Sequence, residues 1–205
     1  MKLYYSPRAC SLAPHIVLRE AGEAVALEKV DLKQKRTEDG ADFWAVNPKG
    51  YVPVLELDDG ALLTEGVVIQ QYIADRTPQA RLAPPRGTTE RLRLEELLIF
   101  ISTELHKSFS PLFAATTPEE AKPAFREKIG KRFDVLETML ADGRPFLAGE
   151  AFTIADAYLY VMTTWCRPTG IDLARWPAVS AFAKRVGDRP SVQAALAAEG
   201  VKAAA

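Results

Sequence analysis

Two cysteines, Cys10 and Cys166, and two histidines, His15 and His106, are all that this 205-residue chain contains of either residue. Two cysteines cannot build a disulfide framework and suit a reducing compartment. The four residues sit at scattered positions without metal-ligand spacing, so no zinc site is expected. An excess of either charge is missing too: Lys and Arg number 26, Asp and Glu 27, and the formal net charge is −1. No bulk field therefore favours nucleic acid or a membrane surface as a partner. No apolar run is long enough to span a bilayer. The chain opens directly on the strand-like Lys2-Leu3-Tyr4-Tyr5, with no signal-peptide apolar core. The expectation is a soluble, cytoplasmic, metal-free protein.

What is present is a change of pattern partway along. A mass of 22.5 kDa allows one large domain or two small ones. A strand near Leu3-Tyr5, a helix from Leu12 to Ala21 closed by Gly22, and a strand near Val25-Asp31 come first. A polar segment, Leu32 to Ala45, carries Lys33, Lys35 and Arg36. A hairpin follows, Val54-Leu57 and Ala61-Leu63, joined by the tight-turn pair Asp59-Gly60. A helix from Glu65 to about Asp75 then sets Ile69, Tyr72 and Ile73 on one face. The order β-α-β then β-β-α, with a proline before the third strand, is that of a thioredoxin-like domain over residues 1–77. Pro78, Pro84, Pro85 and Gly87 mark 78–87 as a linker.

Residues 88–205 read as all helical, so the fold class is α+β: a thioredoxin-like domain followed by a helical bundle. Leu94, Leu97, Leu98, Ile101 and Leu105 recur at helical spacing in a long first helix from Thr88 to Phe113. Thr117-Pro118 starts a second, with the proline at the first helical position. Thr153-Ile154-Ala155-Asp156 starts another with a capping-box pattern, which assigns Asp156 to a cap rather than to catalysis. Trp176-Pro177 and Arg189-Pro190 mark further starts, and the alanine-rich end after Val192 is expected to fray.

The chemistry concentrates between Asn47 and Gly66. Val52-Pro53 immediately precedes a short strand, where a ladder would exclude proline, and so predicts a cis bond in a fixed turn. Such a turn leaves the Val52 N–H and C=O facing outward, able to hold an extended peptide as an added strand. Thr64 as an N-cap opens the following helix, whose first-turn amides can take a carboxylate. One end of this segment holds a peptide backbone and the other a carboxylate, which describes a site for a small acidic peptide. Upstream, Cys10 precedes a helix. Unpaired amides at that position stabilise a thiolate and can lower its pKa to about 3.5–7.5. Taken alone, a lone cysteine is as readily a small buried hydrophobe. No second cysteine follows two positions on, so Cys10 can form a mixed disulfide but not a local internal one. His15, inside the first helix, reads as structural.

Cys10 before a helix, Val52-Pro53, Thr64-Glu65-Gly66, an all-helical second half and Thr153-Ile154-Ala155-Asp156 together resemble the cytosolic glutathione S-transferases. Cys10 and Thr103-Glu104-Leu105-His106-Lys107 are similar to the bacterial beta class. The resemblance runs along essentially the whole chain. It implies glutathione as co-substrate, a homodimer, and conjugation of the glutathione thiol to small hydrophobic electrophiles, a detoxification activity. It implies that Val52 pairs with the backbone of the glutathione cysteine and that Pro53 is the cis-proline. Glu65 and Gly66 would receive the γ-glutamyl end, and Lys35 and Tyr51 would lie towards the glycyl end. Thr103, Glu104 and His106 would reach the site from the partner subunit, with Lys107 nearby. Cys10 and His106 are the implied catalytic pair. Tyr5, Ser6 and Ser11 are the other hydroxyl candidates for activating the glutathione thiol. Tyr5, Phe109, Phe113 and Trp165 are the expected electrophile lining. One departure is Ile99, where the beta class commonly has asparagine. Two rival readings stay open: a glutathione-dependent thiol–disulfide oxidoreductase or reductive dehalogenase using Cys10, and a non-enzymatic binder on the same scaffold.

Overall fold

A computed structural model describes residues 1–201. Two compact units emerge, one formed by Met1–Ala83 with the stretch from Arg189 onward, the other by Pro84–Asp188. In the first, β1 (Lys2–Tyr5), β2 (Ala26–Asp31), β3 (Arg36–Thr37), β4 (Val54–Glu56) and β5 (Leu62–Thr64) make one sheet in the order β3-β2-β1-β4-β5. β1 lies at its centre, parallel to β2 with Leu3 opposite Leu27, and antiparallel to β4 with Leu3 opposite Leu55. Strand alternation sends neighbouring tyrosines to opposite faces. Tyr4 joins Val30, Phe43, Val52 and Val54 in one buried cluster, while the Tyr5 ring lies 6.3 Å from that of His15.

Helices α1 (Leu12–Glu20) and α3 (Gly66–Arg76) pack together in this unit. The polar segment after β2 holds two short elements that its composition does not announce. They are β3 and the four-residue helix α2 (Phe43–Val46). Local caps rather than periodicity make α2: the Asp42 carboxylate accepts the Trp44 N–H at 3.0 Å, and Phe43 is fully buried. The start of α3 also differs from expectation. Thr64 is held in the ladder opposite Val54, so Glu65 becomes the N-cap.

The second unit begins with one long helical course in three parts: α4 (Thr89–Phe100), a π-helical segment Ile101–His106, and α5 (Lys107–Phe113). Leu94, Leu98, Ile101 and Leu105 are fully buried, as their spacing requires. Pro118 sits before a 3₁₀ turn, Glu119–Ala121, and α6 (Lys122–Leu140) starts beyond it with Pro123 in its first turn. α7 (Ile154–Thr164) and α8 (Pro177–Gly187) complete the unit, and both carboxylate oxygens of Glu137 on α6 accept the first amides of α8.

The C-terminal boundary is corrected by the structure. The stretch after Val192 forms part of α9 (Pro190–Ala198), which packs on α1 and belongs with the sheet rather than with 88–188. Val192, Ala195 and Leu196 are buried, and Arg189 grips the Glu20 carboxylate through two nitrogens, at 2.5 and 3.0 Å. The expected fraying therefore does not describe 192–201; residues 202–205 lie outside the described part. Among the described residues no helix is long and apolar enough to cross a membrane.

Asp156 is a cap, as its spacing indicated. Its buried carboxylate accepts the Thr153 N–H at 2.7 Å, the Thr153 hydroxyl at 2.9 Å and the Leu147 N–H at 2.8 Å. Replacing it strands three buried donors at the head of α7. Asp156→Ala is expected to lower stability by about 2–4 kcal/mol, read as a lower urea midpoint with the slope retained. A midpoint equal to wild type would contradict the cap's structural weight.

Candidate functional site

Cys10 lies in the turn between β1 and α1, and the turn is closed from inside. The Ser6 N–H donates to Ser11 Oγ at 3.1 Å, and that hydroxyl donates back to the Ser6 carbonyl at 3.3 Å. Ser11 is wholly buried, so its hydroxyl serves the loop and is spent there. Tyr5 is 7% exposed. Its burial, and then the negative charges of Glu199, Glu38 and Glu28, hold its phenol above the usual tyrosine range. Its surroundings within the unit are those of a core residue.

Glu199, just past the end of α9, fastens the same turn from outside. Its carboxylate accepts the Arg8 N–H at 3.2 Å with one oxygen and meets His15 Nδ1 at 3.0 Å with the other. Arg19 Nε donates to His15 Nε2 at 3.3 Å, so the carboxylate, the imidazole and the guanidinium form a chain. His15 is structural, as expected. Arg8 itself carries a φ of 64°, in the left-handed region that a non-glycine residue occupies only when its neighbours hold it there.

Cys10 remains partly exposed, and its thiol donates to the Val52 carbonyl at 3.3 Å. The Val52–Pro53 bond is cis, as predicted. The Val52 carbonyl, expected to stand open, instead accepts this thiol. The turn before it is tied by Asn47, a buried side chain that sequence reasoning passed over. Its Nδ2 donates to the Tyr51 carbonyl at 2.7 Å, and its Oδ1 accepts the Lys49 N–H at 3.1 Å. Gly50, at φ 70°, packs under Trp44 so closely that a Cβ would lie 2.5 Å from the indole; glycine is the residue that fits.

Pro53 and the head of α3 are brought together: a Cβ on Gly66 would meet Pro53 Cγ at 3.6 Å. Glu65 holds a φ of 67°, and α3 has no side-chain cap. A strained residue beside an uncapped helix end is an arrangement found at binding sites. The Glu65 carboxylate accepts the Lys49 ammonium at 2.7 Å and contacts the Tyr51 hydroxyl at 3.3 Å. Lys49 Nζ also donates to Thr64 Oγ1 at 2.9 Å. Lys35 is differently engaged, donating to the Gly50 carbonyl at 2.6 Å with its ammonium 5.6 Å from the Trp44 ring. Within this unit the structure therefore gathers Cys10 with Val52, Pro53 with Gly66, and Tyr51 with Glu65. It commits Lys35 to the turn that carries Tyr51.

The second unit holds the remaining candidates. His106 ends the π-helical segment, where the Lys107 N–H reaches back five residues to the Ser102 carbonyl. His106 Nδ1 lies 2.6 Å from the Tyr158 hydroxyl, and its ring meets Trp165 edge-on at 5.0 Å. Phe109 and Phe113 each contact Trp165 edge-on, at 5.6 and 5.3 Å. The expected electrophile residues of this unit thus form one aromatic group with His106. Phe113 is 53% exposed, whereas Phe109 is buried, so Phe113 offers the open surface. Thr103 turns its hydroxyl back to the Ile99 carbonyl at 2.9 Å. Glu104 forms an ion pair with Arg132 at 2.7 Å, a partner inside its own unit that its sequence neighbourhood did not indicate. Lys107 is exposed at the start of α5. Tyr158 was missed because a tyrosine inside an apolar helix carries no signal of its own. Its place two residues after the Asp156 cap was the available clue.

Among the described residues, no group of three His, Cys, Asp or Glu side chains is placed to hold a metal. Family models of the glutathione S-transferase N-terminal domain and C-terminal domain match residues 1–75 and 100–190. Glutathione S-transferase GstA of Escherichia coli O157:H7 is 49% identical over 202 residues, covering 98% of this chain and 100% of its own length. A sphingomonad glutathione S-transferase solved in complex with glutathione is similar at a TM-score of 0.94 and 50% identity, over 98% of this chain and 100% of that one. A bacterial beta class transferase of Sphingomonas chungbukensis gives a TM-score of 0.95 and 48% identity, over 98% and 100%.

The two cysteines occupy opposite environments. Burial pushes the Cys166 thiol up to about 12, and its sulfur faces the Met162 carbonyl at 3.8 Å. Iodoacetamide at neutral pH, read by mass spectrometry, should label Cys10 and leave Cys166 unmodified until the protein unfolds. Equal labelling rates in the native state would contradict the contrast.

Proposed function

The chain belongs to the glutathione S-transferase family, and on that premise we propose that it attaches the glutathione thiol to small hydrophobic electrophiles, using the surface around Cys10. The observation that carries this reading is the placement of Cys10 Sγ 3.3 Å from the Val52 carbonyl, in the unit where Pro53 touches the uncapped start of α3. A bound γ-glutamyl tripeptide laid along Val52 would have its sulfur beside Cys10. Its carboxylate would lie at the Gly66 amide and its ammonium at Glu65. Glu65 already binds a primary ammonium, that of Lys49, which supports its assignment to the ligand's.

The chemical task is to hold the glutathione sulfur as a thiolate, since that is the nucleophile. Cys10 and the glutathione thiol would share one proton as a coupled pair, because two adjacent sulfurs resist both being anionic. His106, with Thr103 and Lys107 nearby, serves this chemistry from the partner subunit of a homodimer. Support for the dimer comes from α4, where Leu92 is 60% and Ile99 55% exposed, side chains of the kind that fill an interface core. Phe113 and Trp165 receive the electrophile. Two free cysteines suit the reducing cytoplasm, where such conjugation removes reactive compounds.

A second reaction, glutathione-dependent disulfide exchange, is favoured by the partial exposure of the Cys10 thiol. There Cys10 attacks a disulfide sulfur, and glutathione then resolves the mixed disulfide. Cys10→Ala separates the two. Conjugation of a chloronitrobenzene substrate should persist in large part, because glutathione brings its own sulfur, while disulfide exchange should be lost. Disulfide exchange retained in that variant would exclude Cys10 as its nucleophile.

Glu65→Gln tests the ligand's seat independently. Losing a charge-assisted contact should raise the glutathione KM about ten- to a hundredfold with a smaller change in kcat. An unaltered KM would remove Glu65 from the site.

A further inference from the structure

Glu65, the residue assigned to the ligand's ammonium, already meets an ammonium of the protein's own. Lys49 Nζ donates to Glu65 Oε1 at 2.7 Å and to Thr64 Oγ1 at 2.9 Å. The Tyr51 hydroxyl approaches the same Glu65 oxygen at 3.3 Å. This pair stands at the surface, the Lys49 side chain 45% exposed and that of Glu65 53%. The bond to Glu65 holds the Lys49 ammonium above the usual lysine range, so it is charged at neutral pH.

The backbone of Lys49 is not free to carry that charge elsewhere. The buried Asn47 side chain binds on both sides of it, accepting the Lys49 N–H at 3.1 Å and donating to the Tyr51 carbonyl at 2.7 Å. The Gly50 N–H closes the same turn on the Asn47 carbonyl at 2.8 Å. Glu65 is fixed from the other side, its carbonyl accepting the Val68 and Ile69 N–H groups at 3.0 Å each. Between two pinned backbones only the flexible four-carbon stem of lysine can move. Its ammonium is therefore a tethered ligand, kept at high local concentration beside the carboxylate.

We propose that Lys49 is a built-in competitor of the γ-glutamyl ammonium, a specificity-determining residue that the ligand must turn away from Glu65 in order to bind. This rests on the reading that Glu65 receives that ammonium. The two cations are the same chemical group, and two like charges against one carboxylate repel each other at contact distance. The arriving ammonium takes over the Glu65 contact while Lys49 swings into water, a move its exposure permits. A tripeptide without the amino group has no such effect. It leaves Lys49 on Glu65, so the carboxylate is never stranded without a cation. Lys49 thus weakens glutathione, spares its des-amino analogue, and narrows the site's preference for the amino group.

Isothermal titration calorimetry of the whole protein with glutathione and with glutaryl-cysteinylglycine, its des-amino analogue, tests this. The proteins compared are wild type, Lys49→Met, Glu65→Gln and the double variant. Turning away an exposed, tethered ion pair should cost about two- to fivefold in Kd. Lys49→Met should therefore bind glutathione tighter by that factor, with affinity for the analogue unchanged or lower. In the Glu65→Gln background the same substitution should bring no gain. Glutathione bound by Lys49→Met no tighter than by wild type, with Glu65→Gln still weakened, would overturn the role of Lys49 and leave the Glu65 seat standing. Equal gains for glutathione and the analogue would also overturn it, in favour of packing by the new methionine. Wild-type affinity for glutathione in Glu65→Gln would overturn the seat itself, and the competition with it.

Discussion

A carboxylate with no exposed surface must be bonded on every side, and Glu199 is such a group. Its partners are the Arg8 amide and the His15 ring, one in the turn that carries Cys10 and the other on the helix that follows. The last helix of the chain therefore holds the first turn in place, across almost the full length of the sequence. Much of the first unit follows from this contact. α9 covers α1, the Glu20–Arg189 pair fixes its near end, and Arg8 is kept in a backbone region it would not choose alone. The turn that carries Cys10 is thus held by residues outside it, and the sulfur itself is placed by the Val52 carbonyl.

Each unit uses a buried acid at a helix boundary to place a residue of chemical interest. Glu199 acts beyond the end of α9 and Asp156 within the first turn of α7, where Tyr158 follows. Both carboxylates accept from backbone amides, which cannot move without the chain moving. The device converts a side-chain charge into a backbone coordinate. It suits sites whose reactive atoms must be held to fractions of an ångström on a scaffold of short loops.

Much of this was legible in advance. Periodicity located β1, α1, the β4–β5 hairpin and the helical course from Thr88 to Phe113 within a residue or two, because each buries one face and says so in its spacing, but it did not show the π-helical middle of that course. Val52-Pro53 and Thr153 to Asp156 were readable because proline and capping residues carry local geometry in their own chemistry. What escaped notice has a common cause. β3 and α2 are too short for any period, and Glu65 rather than Thr64 caps α3 because a strand pairing, not a local preference, decides where β5 stops. The start of α9 was marked by Arg189-Pro190, but its alanine-rich course after Val192 looked like a fraying tail because what it packs on is α1, far away in sequence. Glu104 looked available for a ligand because Arg132 is invisible from its neighbourhood. Local signals survive in a sequence, and tertiary partners do not.

The π-helical segment has a consequence for how this chain can change over time. A helix that closes its hydrogen bonds five residues back holds one more residue per turn than its neighbours. Deleting a single residue between Ile101 and His106 would let the course close as ordinary α-helix. The course beyond would keep nearly its present direction, because the wider turn already absorbs the extra residue, and Phe109 and Phe113 would stay against Trp165. Insertions and deletions are usually absorbed in loops; here a one-residue length change can be absorbed in the middle of a helix. What such a change would alter is local, the backbone from Ser102 to Lys107 and with it the placing of His106, so the residue count of one turn sets where a single histidine stands while the frame around it is kept.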